Sequence, residues 1–265
     1  MKRKPFFGCA CCPPNIHRLL GSLDTYIYSV GEEGVAVDLF AQSRATVTLA
    51  GEANTKVTLT QTTNYPIDGK VQIAVDPASP GEFALRVRIP GWLRAAGGED
   101  ALYRPLDGKS YIDAVRFRIE GEPIKVTHEK GYAVIRRSWK QGDVVSLELP
   151  MPVRPIGAHA KVEANRGRIA LMRGPVVYCL EACDNPSGVL HLVVSPKGPF
   201  KSTCRPDWLG GAVEVRGPAE SLSIDAQGNV VAKPVTFRAV PCYLWSNRKQ
   251  GGMTVWPAST RDAAL

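Results

Sequence analysis

The chain has 265 residues, of which 44% are hydrophobic and 22% are charged, and its formal net charge is +8. This hydrophobic content is above that of disordered chains and can supply the cores of two modest domains. No apolar run approaches the roughly 18–20 residues of a membrane-spanning helix. The positive charge is spread along predicted strands, as in Arg86 and Arg88, and no nucleic-acid-binding motif accompanies it. We therefore expect neither a membrane nor a nucleic acid as a partner.

The first predicted element is a short helix that begins just after two adjacent cysteines, Cys11 and Cys12. Pro13 and Pro14 have a fixed φ and no backbone N–H, which suits the first turn of a helix. The helix should end near Asp24, after a stripe of apolar residues spaced three and four apart: Ile16, Leu19, Leu20 and Leu23. Backbone N–H groups and the positive dipole end of a helix favour a thiolate over a thiol.

The adjacent thiols have several interpretations. They could be inert, because cysteine often packs as a small hydrophobic residue, or they could form a strained vicinal disulfide. As thiolates they could act as a nucleophile or as zinc ligands. A tetrahedral zinc site needs four ligands, and the nearby candidates lie too close together in sequence to supply all of them: Cys9, Cys11, Cys12 and His17. A metal site here would therefore need further ligands, which we expect upstream of Met1.

After the helix the apolar period changes from 3.6 to 2, which predicts β-structure. Gly31-Glu32-Glu33-Gly34 separates two short alternating runs and predicts a hairpin. Alternating runs such as Phe83–Ile89 and Val144–Leu149 continue this pattern and predict a first β-sandwich over residues 26–152. Arg94–Tyr111 lacks alternation and is expected to be an exposed excursion.

A second β-sandwich is predicted over residues 153–265. The stretch from Pro150 to Ala158 contains three prolines and marks a passage between modules. Alternating runs then include Val176–Leu180 and Val235–Val240, and a return to the first sandwich is one option for the late strand Met253–Trp256. The five tryptophans are expected to anchor cores or interfaces rather than to form a sugar-stacking platform.

The seven cysteines are an odd number and do not resemble a small disulfide framework. We expect thiols that are mostly buried rather than disulfides. A catalytic thiolate would also suit a reducing compartment, which favours a cytoplasmic location.

Several motifs together resemble one enzyme family. Phe7-Gly8-Cys9-Ala10-Cys11-Cys12-Pro13-Pro14-Asn15 is similar to the Cys-Cys-Pro-Pro-Asn signature of glycoside hydrolase family 127, the β-L-arabinofuranosidases. Further segments that resemble this family follow in the same order over nearly the whole chain, among them Thr63-Asn64-Tyr65-Pro66, Arg88-Ile89-Pro90-Gly91-Trp92, Trp139-Lys140-Gln141-Gly142-Asp143 and Pro241-Cys242-Tyr243-Leu244-Trp245. Each later motif is weak alone, but the ordered set is specific.

The resemblance implies a mainly β chain, in which two β-sandwich domains follow a terminal helix that belongs to an (α/α)6 barrel. Residues 1–25 would be the end of this catalytic barrel. By the same resemblance, Cys11 is a nucleophile bound to Zn²⁺, and Cys12 is a second zinc ligand. The family's other zinc ligands, a Glu and a Cys, and its general acid/base Glu lie upstream of this pair. We therefore expect the chain alone to be inactive.

Three functions follow as hypotheses. The first is part of a retaining glycoside hydrolase that cleaves β-linked L-arabinofuranosides in glycans with a zinc-bound cysteine nucleophile. Family analogy adds a possible homodimer through the second sandwich. The second hypothesis is a non-catalytic β-sandwich module for glycan binding or dimerisation. The third is a structural zinc protein without a link to glycans.

Overall fold

A computed structural model describes residues 8, 11–50, 54–95, 101–208 and 210–265. The chain is mainly β, as predicted, and divides into two compact units. The first unit contains the described residues up to Leu93 together with Tyr111–Pro150. The second unit contains Arg94–Ser110 and Met151–Leu265.

The predicted helix is present as α1, Cys12–Ser22, and a 3-10 turn, Leu23–Tyr26, follows it. The two prolines occupy its first turn, where a missing N–H costs no intrahelical bond. None of the residues of α1 is buried, and its apolar stripe is exposed, with Leu20 at 61%. A helix this short is marginal in water without packing, so α1 lacks its main source of stability in this chain.

The first unit is built from two sheets. The sheet of order β1-β2-β6-β11-β10 contains one parallel pair, β2 with β6, and the other sheet has the order β3-β4-β5-β12-β8-β9. The strands are β1 (Tyr28–Gly31), β2 (Gly34–Val37), β3 (Ser43–Thr48), β4 (Lys56–Thr63), β5 (Lys70–Pro77), β6 (Gly81–Arg88), β8 (Arg116–Ile119), β9 (Glu122–Pro123), β10 (Thr127–Glu129), β11 (Tyr132–Trp139) and β12 (Asp143–Glu148), while β7 (Tyr103–Pro105) belongs to the second unit.

Alternation along these strands produces the core of the first unit. Val57 and Leu59 on β4 are fully buried, whereas Thr58 between them is only partly buried. Trp139 is fully buried in the same core, where its ring stacks on Phe83 and its Nε1–H donates to the Phe83 carbonyl at 3.0 Å. Gly34 is required where β2 meets β6, because a Cβ there would lie 2.1 Å from the Ala84 carbonyl oxygen.

The second unit is one sheet of nine strands, with the path β16-β18-β19-β15-β14-β13-β7, to which β17 and β20 add at β18 and β15. Its remaining strands are β13 (Val153–Ala158), β14 (Ile169–Arg173), β15 (Val176–Glu181), β16 (Leu192–Val194), β17 (Lys201–Arg205), β18 (Ala212–Ile224), β19 (Val230–Pro241) and β20 (Met253–Thr254). The late strand β20 thus pairs within the second unit and does not return to the first.

In the expected exposed excursion, Arg94–Tyr111, residues 101–110 are mostly exposed, and the segment up to Ser110 belongs to the second unit. Its strand β7 pairs with β13. The buried Arg154 guanidinium donates to both carboxylate oxygens of Asp107, at 2.7 and 3.0 Å, and to the carbonyls of Arg94 and Lys109. The expected exposure is thus observed, while polar and ionic contacts, rather than alternating apolar residues, join this segment to the second unit.

The cysteines differ from the expectation in their exposure. No disulfide joins the six cysteines that the structure describes, but Cys179 alone among them is buried. Three are exposed, namely Cys11, Cys12 and Cys204. In the described part of the chain, no helix has the length and apolar character needed to span a membrane.

Hydrogen exchange should reflect this fold. We expect fast exchange for amides of α1, which buries no side chain, and strong protection in β6 and β12, each of which is paired on both sides. Exchange mass spectrometry of the purified chain measures both. Uniformly fast exchange through β6 and β12 would show that the first unit does not fold independently of a longer protein.

Candidate functional site

The two predicted site residues lie together at the amino end of α1. Cys11 is the N-cap residue and Cys12 is the first residue of the helix. Their Sγ atoms are 3.6 Å apart, and both residues are exposed. The Asn15 side chain donates to the Cys11 carbonyl at 2.8 Å, which ties the backbone before the prolines to the first turn. The helix start therefore presents both sulfur atoms outward, side by side.

The spacing of the sulfur atoms can be compared with a zinc site. With Zn–S bonds of about 2.3 Å and tetrahedral angles, two thiolates on one zinc lie about 3.8 Å apart. The observed 3.6 Å fits two positions of one tetrahedral site. The pair therefore suits zinc as half of a ligand set.

A third ligand does not join this pair within the part of the chain that the structure describes. The group of potential ligands found there consists of Glu181, Cys183 and Asp184, in the second unit. Arg248 donates to both of these carboxylates. Burial, followed by the Asp184 charge, raises the pKa of the Cys183 thiol. Carboxylates that are paired with arginine and a thiol that is protonated are poor metal ligands. We therefore interpret this cluster as an ion-pair network with Arg248 rather than as a metal site.

The carboxyl groups whose pKa is clearly shifted do not include a candidate general acid. A glycosidase acid needs a raised pKa. Among the described residues, the carboxyl groups with a clearly shifted pKa are all lowered: Glu33, Asp207 and Glu220 by hydrogen bonds from arginine, and Asp225 by the backbone N–H of Asn229. None of these four groups is poised to protonate a leaving group.

Motif residues of the first unit form internal hydrogen bonds. The Trp92 Nε1–H donates to the Tyr65 hydroxyl at 3.2 Å, and Phe40 packs edge-on against Tyr65. Burial raises the pKa of Tyr65. The Tyr132 hydroxyl donates to Asp38 at 2.6 Å. These contacts support the expected anchoring role, because each aromatic side chain is fixed by a partner.

Comparison with known proteins gives the family of both units. Residues 34–151 match the model of the β-L-arabinofuranosidase GH127 middle domain, and residues 153–258 match that of the glycoside hydrolase family 127 C-terminal domain. A curated relative, the non-reducing end β-L-arabinofuranosidase of Bifidobacterium longum subsp. longum, is 33% identical over 96% of this chain. The chain spans 38% of the length of that relative.

Solved structures agree with this assignment. The crystal structure of a GH127 β-L-arabinofuranosidase from Geobacillus stearothermophilus T6 is 38% identical, with a TM-score of 0.82 over 97% of this chain and 38% of that protein. A second solved GH127 β-arabinofuranosidase is 35% identical, with a TM-score of 0.90 over 99% of this chain and 40% of that protein. With both of its units matched, this chain belongs to glycoside hydrolase family 127.

Proposed function

We propose that this chain is part of a retaining glycoside hydrolase that releases β-linked L-arabinofuranose from glycans, with Cys11 as its zinc-bound nucleophile. The observation that carries the proposal is the Cys11–Cys12 pair at the start of α1, with sulfur atoms 3.6 Å apart, in a chain of family 127. The relatives named above are β-L-arabinofuranosidases, which supports this substrate class.

Each cysteine has a distinct role in the proposal. The Cys11 thiolate would displace the aglycone from the anomeric carbon and form a C–S bond, while a general acid protonates the departing oxygen. Water, deprotonated by the same group, would then break the C–S bond and release the sugar with retained configuration. Cys12 would supply the second sulfur ligand, beside that of Cys11. Zinc, when bound, would keep the attacking sulfur deprotonated and stabilise it as a leaving group.

The proposal includes the inactivity of the chain alone. Among the described residues, no third ligand joins Cys11 and Cys12, and the four carboxyl groups with a clearly shifted pKa all have it lowered. Loss of a general acid/base alone typically costs about 10²–10⁴ in rate. In this proposal the remaining ligands and the acid/base come from a part of the enzyme outside the described residues.

A hybrid enzyme tests the function. It joins the segment of the Bifidobacterium longum relative that precedes its match with this chain to residues 11–265 of this chain. We expect the hybrid to hydrolyse p-nitrophenyl β-L-arabinofuranoside, whereas neither part alone does so. A folded, zinc-loaded hybrid that leaves this substrate intact would refute the proposed activity.

Metal binding gives an independent test. Co²⁺ bound by thiolates shows a charge-transfer band, and we expect this band in the hybrid, weakened by either Cys11→Ser or Cys12→Ser. Cys204→Ser is the matched control, because Cys204 is also exposed but lies on β17. The chain alone should lose its metal on dialysis, since two thiols give half a tetrahedral set. Stoichiometric zinc in the dialysed chain would contradict the proposed ligand set.

A homodimer through the second unit is a further part of the proposal. At the tip of the β18–β19 hairpin, the register partners Ile224 and Val230 share one face and are exposed by 68% and 45%. Apolar residues clustered on a surface favour association. Ile224→Lys should therefore raise the dimer dissociation constant at least about tenfold in sedimentation experiments, while Ser223→Lys, on the other side of the same strand, should not. A chain that is monomeric at every concentration would exclude this dimer.

A non-catalytic role is the second candidate. Each unit has its own buried core, and α1 contributes no buried residue to either. The β units therefore have the means to fold and bind without catalysis.

A further inference from the structure

The second unit contains a cavity that the sequence did not indicate. Its volume is about 190 Å³, and its lining residues are Asp207, Trp208, Val240, Leu244 and Arg248. Two of these come from the turn between β17 and β18, and the others come from the end of β19 and the segment after it. Val240 and Leu244 are buried and form an apolar wall. The cavity thus combines apolar, aromatic and charged groups in a small volume.

Trp208 is held in place by cations. The guanidinium carbons of Arg205, Arg238 and Arg248 lie 4.7, 5.4 and 5.1 Å from the centre of its ring. A guanidinium within about 6 Å of an indole is attracted to the ring. Trp208 was expected to be a core anchor, yet it is half-buried and borders the cavity. Its fixed position prepares a rigid aromatic surface for a ligand.

Each arginine near Trp208 forms an ion pair with at least one carboxylate. Glu214, which is buried, forms ion pairs with Arg205, Arg216 and Arg238. Asp207 accepts two hydrogen bonds from Arg205. The remaining ion pairs of the network join Arg238 to Asp184, and Arg248 to Asp184 and Glu181.

Four arginines therefore face four carboxylates. Burial by itself would lower the pKa of Arg248, but its hydrogen bonds to Asp184 and Glu181 outweigh this effect and raise it. With four arginines and four carboxyl groups, the network has no net formal charge. A cavity beside a neutral network does not select an anion or a cation, so its ligand should be uncharged and polar.

We propose that this cavity binds one neutral sugar residue, of pentose or hexose size, as a non-catalytic glycan site. Sugar C–H groups can pack against an indole and an apolar wall, and sugar hydroxyl groups can bond to carboxylate and guanidinium groups. Carboxylate oxygens have several lone pairs, so Asp207 can accept from a hydroxyl while it stays paired with Arg205. Drug-sized ligands occupy about 300–1,000 Å³, and this smaller cavity suits a single ring.

The site does not depend on the proposed hydrolysis, because no lining residue belongs to the Cys11–Cys12 site. The choice of L-arabinose as the probe rests on the proposed substrate, and D-glucose is therefore titrated in parallel. Binding by the chain without activity of the hybrid would support the cavity site while refuting the proposed enzyme.

Indole N–H signals of the ¹⁵N-labelled chain provide the test, with the four tryptophans other than Trp208 as internal controls. We expect titration with L-arabinose to shift one indole signal saturably, in the millimolar range, and Trp208→Phe should remove that signal. Asp207→Asn should weaken binding about tenfold without loss of fold, since the Asp207 side chain is 60% exposed.

The outcomes decide the proposal. A saturable shift of the Trp208 signal with either sugar, lost or weakened in the two variants, supports it. Equal shifts of several indoles, no shift with either sugar, or unchanged affinity in Asp207→Asn would overturn it.

Discussion

The Cys11→Ser variant of the hybrid enzyme should lose at least about 10⁴-fold of its kcat/KM, because removal of a covalent nucleophile typically has an effect of this size. A serine hydroxyl keeps the shape of the side chain but ionises far less readily than a thiol. Cys12→Ser should also inactivate the enzyme, because it removes the second sulfur of the 3.6 Å pair. Initial rates with p-nitrophenyl β-L-arabinofuranoside measure both effects.

The controls separate this role from the alternatives for adjacent thiols. Cys204→Ser should retain full activity, because its exposed thiol lies on β17, away from α1 in sequence. If the pair were a vicinal disulfide, activity would depend on added reductant. If both thiols were inert, Cys11→Ser would leave kcat/KM unchanged, and the nucleophile assignment would be wrong.

The second large effect concerns stability. Asp107→Ala should lower the free energy of unfolding by about 3–5 kcal/mol, because it leaves a charge buried without its partner. The side chain of Arg154 is only 4% exposed, whereas that of Asp107 is 19% exposed. Arg154→Met should therefore cost less than Asp107→Ala, since water can reach the remaining carboxylate and methionine fills much of the vacated space.

Urea unfolding of the purified chain measures both variants. Glu163→Ala is the matched control, because the Glu163–Arg166 pair is 3.9 Å long and its side chains are 83% and 73% exposed. Exposed pairs contribute at most about 1 kcal/mol. If Asp107→Ala and Glu163→Ala had equal effects, the Arg154–Asp107 pair would not hold the 94–110 segment in place.

Much of the fold could be predicted because strand alternation is local. Val57 and Leu59 alternate with polar residues in sequence, and they lie in the core for that reason. The start of α1 could also be predicted locally, because two prolines directly follow Cys12. The segment around β7 could not be predicted, because β7 has three residues and its anchor, Arg154, lies 47 residues from Asp107.

The two candidate sites also differ in whether their residues are close together in the sequence. Cys11 and Cys12 are neighbours in sequence, so a local motif revealed them. The cavity joins Asp207 and Trp208 to Val240 and Arg248 only through the β18–β19 hairpin. Arg205 on β17 and Arg238 on β19 are far apart in sequence, but both guanidinium groups lie over the Trp208 ring. No pattern of residue spacing in the sequence predicts that these side chains meet.

The placement of residues 94–110 has a consequence for dividing the protein. The two family domains meet between residues 151 and 153 in sequence, but the second unit takes its edge strand β7 from inside the first domain. A fragment cut at residue 152 would leave β13 with a bare edge and Arg154 with no carboxylate from Asp107. Exchange of the second domain between family members would therefore need to include residues 94–110 as well.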